Sequence, residues 1–118
     1  MRAKDAVGAY GERVAARWLE DEGYVVLDRN WRCRSGELDV VAMRGGVVVF
    51  VEVKCRRSDA FGVPALAVTP AKVARLRAAA AAWLADRGLD DASVRFDVVS
   101  VLRPPAGAAV LEHFQGAF

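Results

Sequence analysis

Asp39, Glu52 and Lys54 are the residues whose types and spacing could do chemistry. Leu38 to Met43 and Val47 to Cys55 are both strand-like, and Arg44-Gly45-Gly46 between them is a hairpin signal. Side chains alternate along a strand, so Glu37, Asp39, Val41 and Met43 share one face, opposite Leu38, Val40 and Ala42. On the partner strand Phe50, Glu52 and Lys54 share a face. A two-residue Gly45-Gly46 turn pairs Arg44 with Val47. Counting outward then sets Asp39 opposite Glu52 and Glu37 opposite Lys54; another loop length would shift that register. Two carboxylates facing each other cost roughly 0.2–1 kcal/mol, so something cationic should offset them. A hard divalent ion, Mg2+ or Mn2+, favours carboxylates, carbonyls and water and needs no histidine. A lysine on the same side can orient or help deprotonate an attacking water and offset charge on a phosphorane-like transition state. The ordinary reading of three charged residues is a solvated face. Against it, Glu52 and Lys54 interrupt a run that is apolar on both sides, as buried central strands are, with Val47, Val49, Val51 and Val53 as a core face.

The elements that must position these residues follow from periodicity. Between Lys4 and Glu22, Val7, Tyr10, Val14 and Trp18, flanked by Gly11, Ala15 and Leu19, recur at spacings of three and four, which predicts a helix stopped by Gly23. Tyr24 to Leu27 reads as a short strand ended by the turn formers Asp28, Arg29 and Asn30. Arg57 to Pro70, with Gly62, Pro64 and Pro70, reads as a loop. Thr69 is a suitable N-cap and Pro70 a suitable first residue for a second helix to about Arg87, with Val73, Leu76, Ala80, Trp83 and Leu84 on its buried face and Gly88 ending it. Arg95 to Leu102 predicts another strand, and Val110 to Phe114 a last one returning along an edge. A strand, helix, strand passage from Val53 to Val98 favours a parallel pair with a right-handed crossover. The class is α/β, a mixed β-sheet flanked by helices in the order α-β-β-β-α-β.

Composition narrows the alternatives. At 118 residues and 54% hydrophobic, a single domain over 1–118 is expected, with a core that needs no disulfide or zinc. A net charge of +2 excludes a histone-like polycation but allows a one-sided basic face from the 17 basic residues. Cys33 and Cys55, with one histidine in the chain, do not make a zinc site and read as reduced thiols. The N-terminus, Met1 to Gly11, has no apolar run of signal-peptide length and no stretch of 18 or more apolar residues occurs, so a cytoplasmic protein is expected.

Gly36-Glu37-Leu38-Asp39 followed by Phe50-Val51-Glu52-Val53-Lys54 resembles the D…(E)xK signature of the PD-(D/E)xK nuclease superfamily, the restriction-endonuclease-like fold. The whole chain is similar to the bacterial YraN family. That likeness runs through Gly8 to Glu12, Gly23-Tyr24, Asn30-Trp31-Arg32, the two strands, Phe61-Gly62, Lys72 and Arg95-Phe96-Asp97. The resemblance implies a metal-dependent endonuclease acting on DNA, at branched or damaged structures in recombination or repair. It also implies metal positions at Asp39, Glu52 and Val53, and a catalytic lysine at Lys54. Archaeal-type Holliday-junction resolvases add a first-helix Glu, matched here by Glu12, which would support the metal through water; an ordinary helix-surface Glu is the alternative. Leu38 stands where the superfamily name has Pro.

Arg29, Arg32 and Arg34 surround Trp31, and Arg56 and Arg57 follow Lys54. With Lys72 at the second helix's start, Arg32, Arg34, Arg56 and Arg57 are candidate phosphate contacts, which supply affinity without reading bases; a solvated surface is the equal alternative for each arginine. Trp31 reads as a core-edge residue, Asp97 as a structural acid ahead of a group near the metal, and His113 as isolated near the C-terminus with no partner spacing and no catalytic role expected. Two further functions stay open: a module of the same fold that binds nucleic acid or a partner without turnover, and a structural role through an exposed apolar C-terminus, Phe114 to Phe118. Paired nicks would need two active sites, which a homodimer would provide.

Overall fold

The computed structural model describes residues 6–57 and 68–118. In chain order the elements are α1 (Ala6–Asp21), β1 (Val25–Cys33), β2 (Gly36–Arg44), β3 (Val47–Arg57), α2 (Pro70–Asp86), β4 (Ser93–Arg103) and β5 (Val110–Phe114). The strands form one sheet in spatial order β1-β2-β3-β4-β5. β3 and β4 run parallel on either side of the α2 connection, and every other neighbouring pair is antiparallel. The mixed α/β class and the parallel pair are as the periodicity predicts. The expected helix start at Lys4 and most of the expected loop, with Phe61, Gly62 and Pro64, lie outside the described residues.

The β2-β3 hairpin sets the geometry on which the site depends. Gly45 and Gly46 take φ of 58° and 77°, the left-handed pair that a two-residue turn matching the sheet's twist requires. Arg44 therefore pairs with Val47, and the ladder runs back to Val40 opposite Val51, the register the counting predicts. Asp39 and Glu52 come next, just past the last paired residues. The α2 start is also as expected: Thr69 Oγ1 accepts the Lys72 N–H at 3.1 Å, with Pro70 in the first turn.

Both faces of the sheet are core, so the valine face is only half of it. Val40, Ala42, Val49 and Val51 pack with Ala15 and Leu19 of α1, while Val41, Val48 and Phe50 pack with Leu76, Ala79, Ala80 and Trp83 of α2. Leu38 departs from strict alternation and joins Val41 beneath α2 rather than Val40 and Ala42. Burying side chains of this size contributes about 1.5–3 kcal/mol each, enough in sum to hold polar groups inside the sheet.

Three local expectations are corrected. β1 does not end at Leu27: a register shift between Val26 and Asp28 absorbs the extra residue as a bulge, Asn30 takes φ of 53°, and pairing continues to Cys33. Asp28 is tolerated there because Trp83 Nε1 and Arg87 Nη2 donate to its Oδ2 at 3.1 and 2.6 Å. The C-terminus is not an exposed apolar tail: Ala117 N–H donates to the Phe96 carbonyl at 2.8 Å, and the Phe118 ring lies 5.8 Å from that of Phe96. His113 does have a partner, for its Nε2 lies 2.7 Å from Asp97 Oδ2, and the Trp18 ring meets it edge-on at 5.2 Å. Asp97 is the structural acid expected of it. It is 0% exposed and also accepts from Arg95 Nε and Nη2, both at 2.8 Å, and from Gly116 N–H at 3.0 Å, so it ties β5 and the tail to β4.

Candidate metal centre

The end of the β2-β3 ladder brings carboxylates from three elements together. Glu37 and Asp39 come from β2, Glu52 from β3 and Glu12 from α1. Glu12 is 3% exposed, Asp39 8% and Glu52 7%, so the first is not a helix-surface residue and the other two are not a solvated face. Carboxylate oxygens of Glu12, Glu37 and Asp39 all lie within 4.8 Å of one another. Asp39 is oriented by the strand beside it, its Oδ2 accepting the Val53 N–H at 2.9 Å. Because ladder pairing stops at Val40 and Val51, that N–H is available to a side chain.

Glu52 meets this group at Asp39. Burial, then the hydrogen bond and the charge of the neighbouring Asp39, push the Glu52 carboxyl up to about 8, against the opposing pull of Lys72 and Lys54. Its Oε2 is buried and accepts no hydrogen bond, with Lys72 Nζ facing it at 3.4 Å. The Lys72 ammonium pairs with this oxygen by charge without forming a hydrogen bond, so a buried acceptor keeps capacity that a further cation would use. Every side-chain donor in the cluster is a carboxylate oxygen, a set that suits Mg2+ or Mn2+ rather than a thiolate- or imidazole-seeking ion. The residues therefore fit the hard divalent ion that the resemblance implies.

The carboxylates open into a cleft of about 510 Å³ lined by Arg32, Cys33, Gly36, Glu37, Asp39, Glu52, Val53, Lys54, Lys72, Arg75 and Leu76. The cleft lies toward the carboxyl end of β3, where α/β sheets commonly present ligands, and Lys72 in the first turn of α2 lines it. Three carboxylates in its lining are matched by four cations. One of these, Arg32, is tied back to Glu37, its Nε donating to Oε2 at 2.8 Å.

Of the residues singled out from sequence, Asp39, Glu52, Val53, Lys54, Arg32 and Lys72 line one cleft, and Glu12 reaches its acidic floor from α1. Arg34, Arg56 and Arg57 are not in its lining. Val53 is placed against Asp39 through its main-chain N–H. Two residues were missed. Glu37 shares a strand face with Asp39, a signal already present in the alternation, and Arg75 follows Lys72 by three positions, one helical turn, along the cleft wall. Cys33 also lines the cleft; it and Cys55 remain thiols. Among the described residues no helix is long and apolar enough to cross a membrane.

Comparison with known proteins gives the family. The profile of the Uncharacterised protein family UPF0102 matches residues 11–101, from the second residue of the Tyr10-Gly11-Glu12 run to Val101 of β4. A UPF0102 protein of Beutenbergia cavernae is 63% identical over 116 residues, covering 98% of each chain. One of Frankia alni is 55% identical over 118 residues, covering 100% of this chain and 98% of the relative. One of Geotalea daltonii is 45% identical over 112 residues, 95% of this chain and 88% of the relative. Matches of this extent and identity identify the chain as a member of the YraN-like family UPF0102.

Proposed function

We propose that this protein is a cytoplasmic, divalent-metal-dependent endonuclease of the restriction-endonuclease-like superfamily, hydrolysing phosphodiester bonds of DNA at branched or damaged structures. The observation that carries the reading is Glu52: a buried carboxylate on the central strand, with an oxygen that accepts no hydrogen bond, set beside Asp39 and two residues before a lysine in a cation-walled cleft.

Asp39, Glu52 and the main chain of Val53 would hold Mg2+ or Mn2+, with Glu12 and Glu37 beside them. Bound there, the ion supplies Lewis acidity, lowering the pKa of a water and neutralising charge on the phosphate. The Lys54 ammonium orients the attacking water and offsets negative charge as the phosphorus–oxygen bond breaks. Lys72 and Arg75 contact the backbone phosphates, and Arg32 joins them across the cleft. Among the described residues the cleft lining carries cations and no aromatic side chain, which favours recognition of the backbone over stacking on bases. Cutting two strands together would take two such sites, which a homodimer supplies.

The test is incubation of purified protein with labelled duplex, single-stranded, flap and four-way-junction DNA in Mg2+, Mn2+ or EDTA, beside Glu52→Ala and Lys54→Ala. Metal-dependent cutting that is lost in both variants supports the enzyme. Salt-dependent binding without cutting in any metal would overturn it in favour of a non-catalytic nucleic-acid-binding module.

A further inference from the structure

Gly11 is in the interior of α1, where glycine is a poor helix former, so its presence asks for a reason. A Cβ built at this position would lie 2.4 Å from Cys55 Cβ, 2.9 Å from Cys55 Sγ and 3.6 Å from Val53 Cγ1. The nearest of these atoms is fixed directly to the β3 backbone, so no rotamer change can move it away, and only a shift of helix or strand could make room. The segment Val53–Cys55 touched in this way brackets Lys54, and its Val53 N–H holds Asp39. The residue after Gly11 is Glu12, buried and within 4.8 Å of Glu37 and Asp39.

We propose that Gly11 is a positioning residue for Glu12: the missing side chain lets α1 settle directly on β3 and so carries the Glu12 carboxylate into the metal-binding group. The Gly-Glu pair is then one device, the glycine setting the depth of the helix and the glutamate using it. Glu12 could not be delivered from a helix held farther off by even one methyl group, because adjacent residues on a rigid helix move together. This inference rests on the metal-site reading above.

The experiment measures Mn2+ affinity of the full chain by calorimetry, with urea unfolding to establish that each variant is folded. Gly11→Ala should weaken Mn2+ about tenfold, the loss typical of disturbing a group that supports a metal ligand, and Glu12→Gln should do the same. In the Glu12→Gln background, Gly11→Ala should add nothing further, and Cys55→Gly should restore affinity to Gly11→Ala by removing the opposing Cβ. Cys55→Val presses on the same gap from the strand side and should also weaken Mn2+, so it decides the matter if Gly11→Ala does not fold. Unchanged affinity in Gly11→Ala, or in Cys55→Val where that variant decides, overturns the proposal. So does a Gly11→Ala effect that persists in full without the Glu12 carboxylate. Failure of the wild-type protein to bind Mn2+ at all would instead refute the metal-site reading, and this proposal with it.

Discussion

Replacing Glu52 with glutamine should make the metal-free protein more stable while destroying the proposed metal site. Burial, with Asp39 alongside, raises the Glu52 carboxyl from 4.5 to about 8, so at neutral pH folding must put a proton on a group that is ionised in the unfolded chain. From pH 4.5 to pH 7, each unit costs about 1.4 kcal/mol, which places the penalty on the order of 3 kcal/mol. Glutamine has the same shape, is neutral in both states and escapes it. Below about pH 4.5 both states of the wild type hold the proton and the advantage of Glu52→Gln vanishes. It grows as pH rises toward 8 and is constant beyond that. Urea unfolding in EDTA at about pH 4 and about pH 7 reads this directly. Adding Mg2+ at about a hundred times its Kd should then stabilise the wild type by about 2.7 kcal/mol and leave Glu52→Gln unmoved. If Glu52→Gln is less stable than wild type in EDTA at pH 7, with a gap that does not change with pH, Glu52 carries no desolvation burden and the reasoning fails.

Asp97 should show the opposite pH dependence. Burial alone would raise its carboxyl, but hydrogen bonds from His113, Arg95 and the Gly116 N–H outweigh it and lower the value from 3.8 to about 2. The linked stability, on the order of 2 kcal/mol, is fully present above about pH 4 and lost as pH falls through about 2, so the gap between wild type and Asp97→Asn in denaturant titrations should close over that interval. Trp83 is 1% exposed, packs edge-on against Phe50 and donates to Asp28. Trp83→Ala should therefore cost about 3–5 kcal/mol in urea unfolding without altering the register of the β2-β3 hairpin. Lys72→Ala and Arg75→Ala should each weaken duplex binding and reduce the slope of log K against log salt by roughly 0.9, measured by fluorescence anisotropy across a salt series. Arg57→Ala, outside the cleft lining, should leave that slope unchanged.

The parts of the fold legible from the residues were those governed by neighbours in the chain. The α2 cap needs only Thr69, Pro70 and Lys72. The register of β2 against β3 needs only two glycines able to take positive φ and the alternation of side chains on either side of them. The parallel pair follows from the apolar run of β3, the helix and the apolar run of β4. What the residues did not reveal depended on partners remote in sequence. β1 continues through Asp28 because Trp83 and Arg87, on and just after α2, bind that carboxylate. The C-terminal tail folds inward because Asp97 captures the Gly116 N–H and Phe96 receives Phe118. Nearness along the chain was a poor guide to the cleft wall: Arg56 and Arg57 follow Lys54 directly yet lie outside it, while Arg75 enters from the next helix.

For the site itself, the two-residue hairpin, a local rule, determined from sequence that Asp39 and Glu52 follow the Val40–Val51 pair on adjacent strands; the expected direct pairs of Asp39 with Glu52 and Glu37 with Lys54 do not form, because the ladder ends there and alternation breaks at Leu38. Only the tertiary structure decided that the Glu12, Glu37 and Asp39 carboxylates come within 4.8 Å of one another, and that Glu52 is buried enough for its carboxyl to be pushed up. Dehydration is a property of what covers a group from every direction. Around Glu52 the cover includes Leu38, Phe50, Leu76, Phe96 and Phe118, brought together from β2, β3, α2, β4 and the C-terminal tail by the collapse of the whole apolar core.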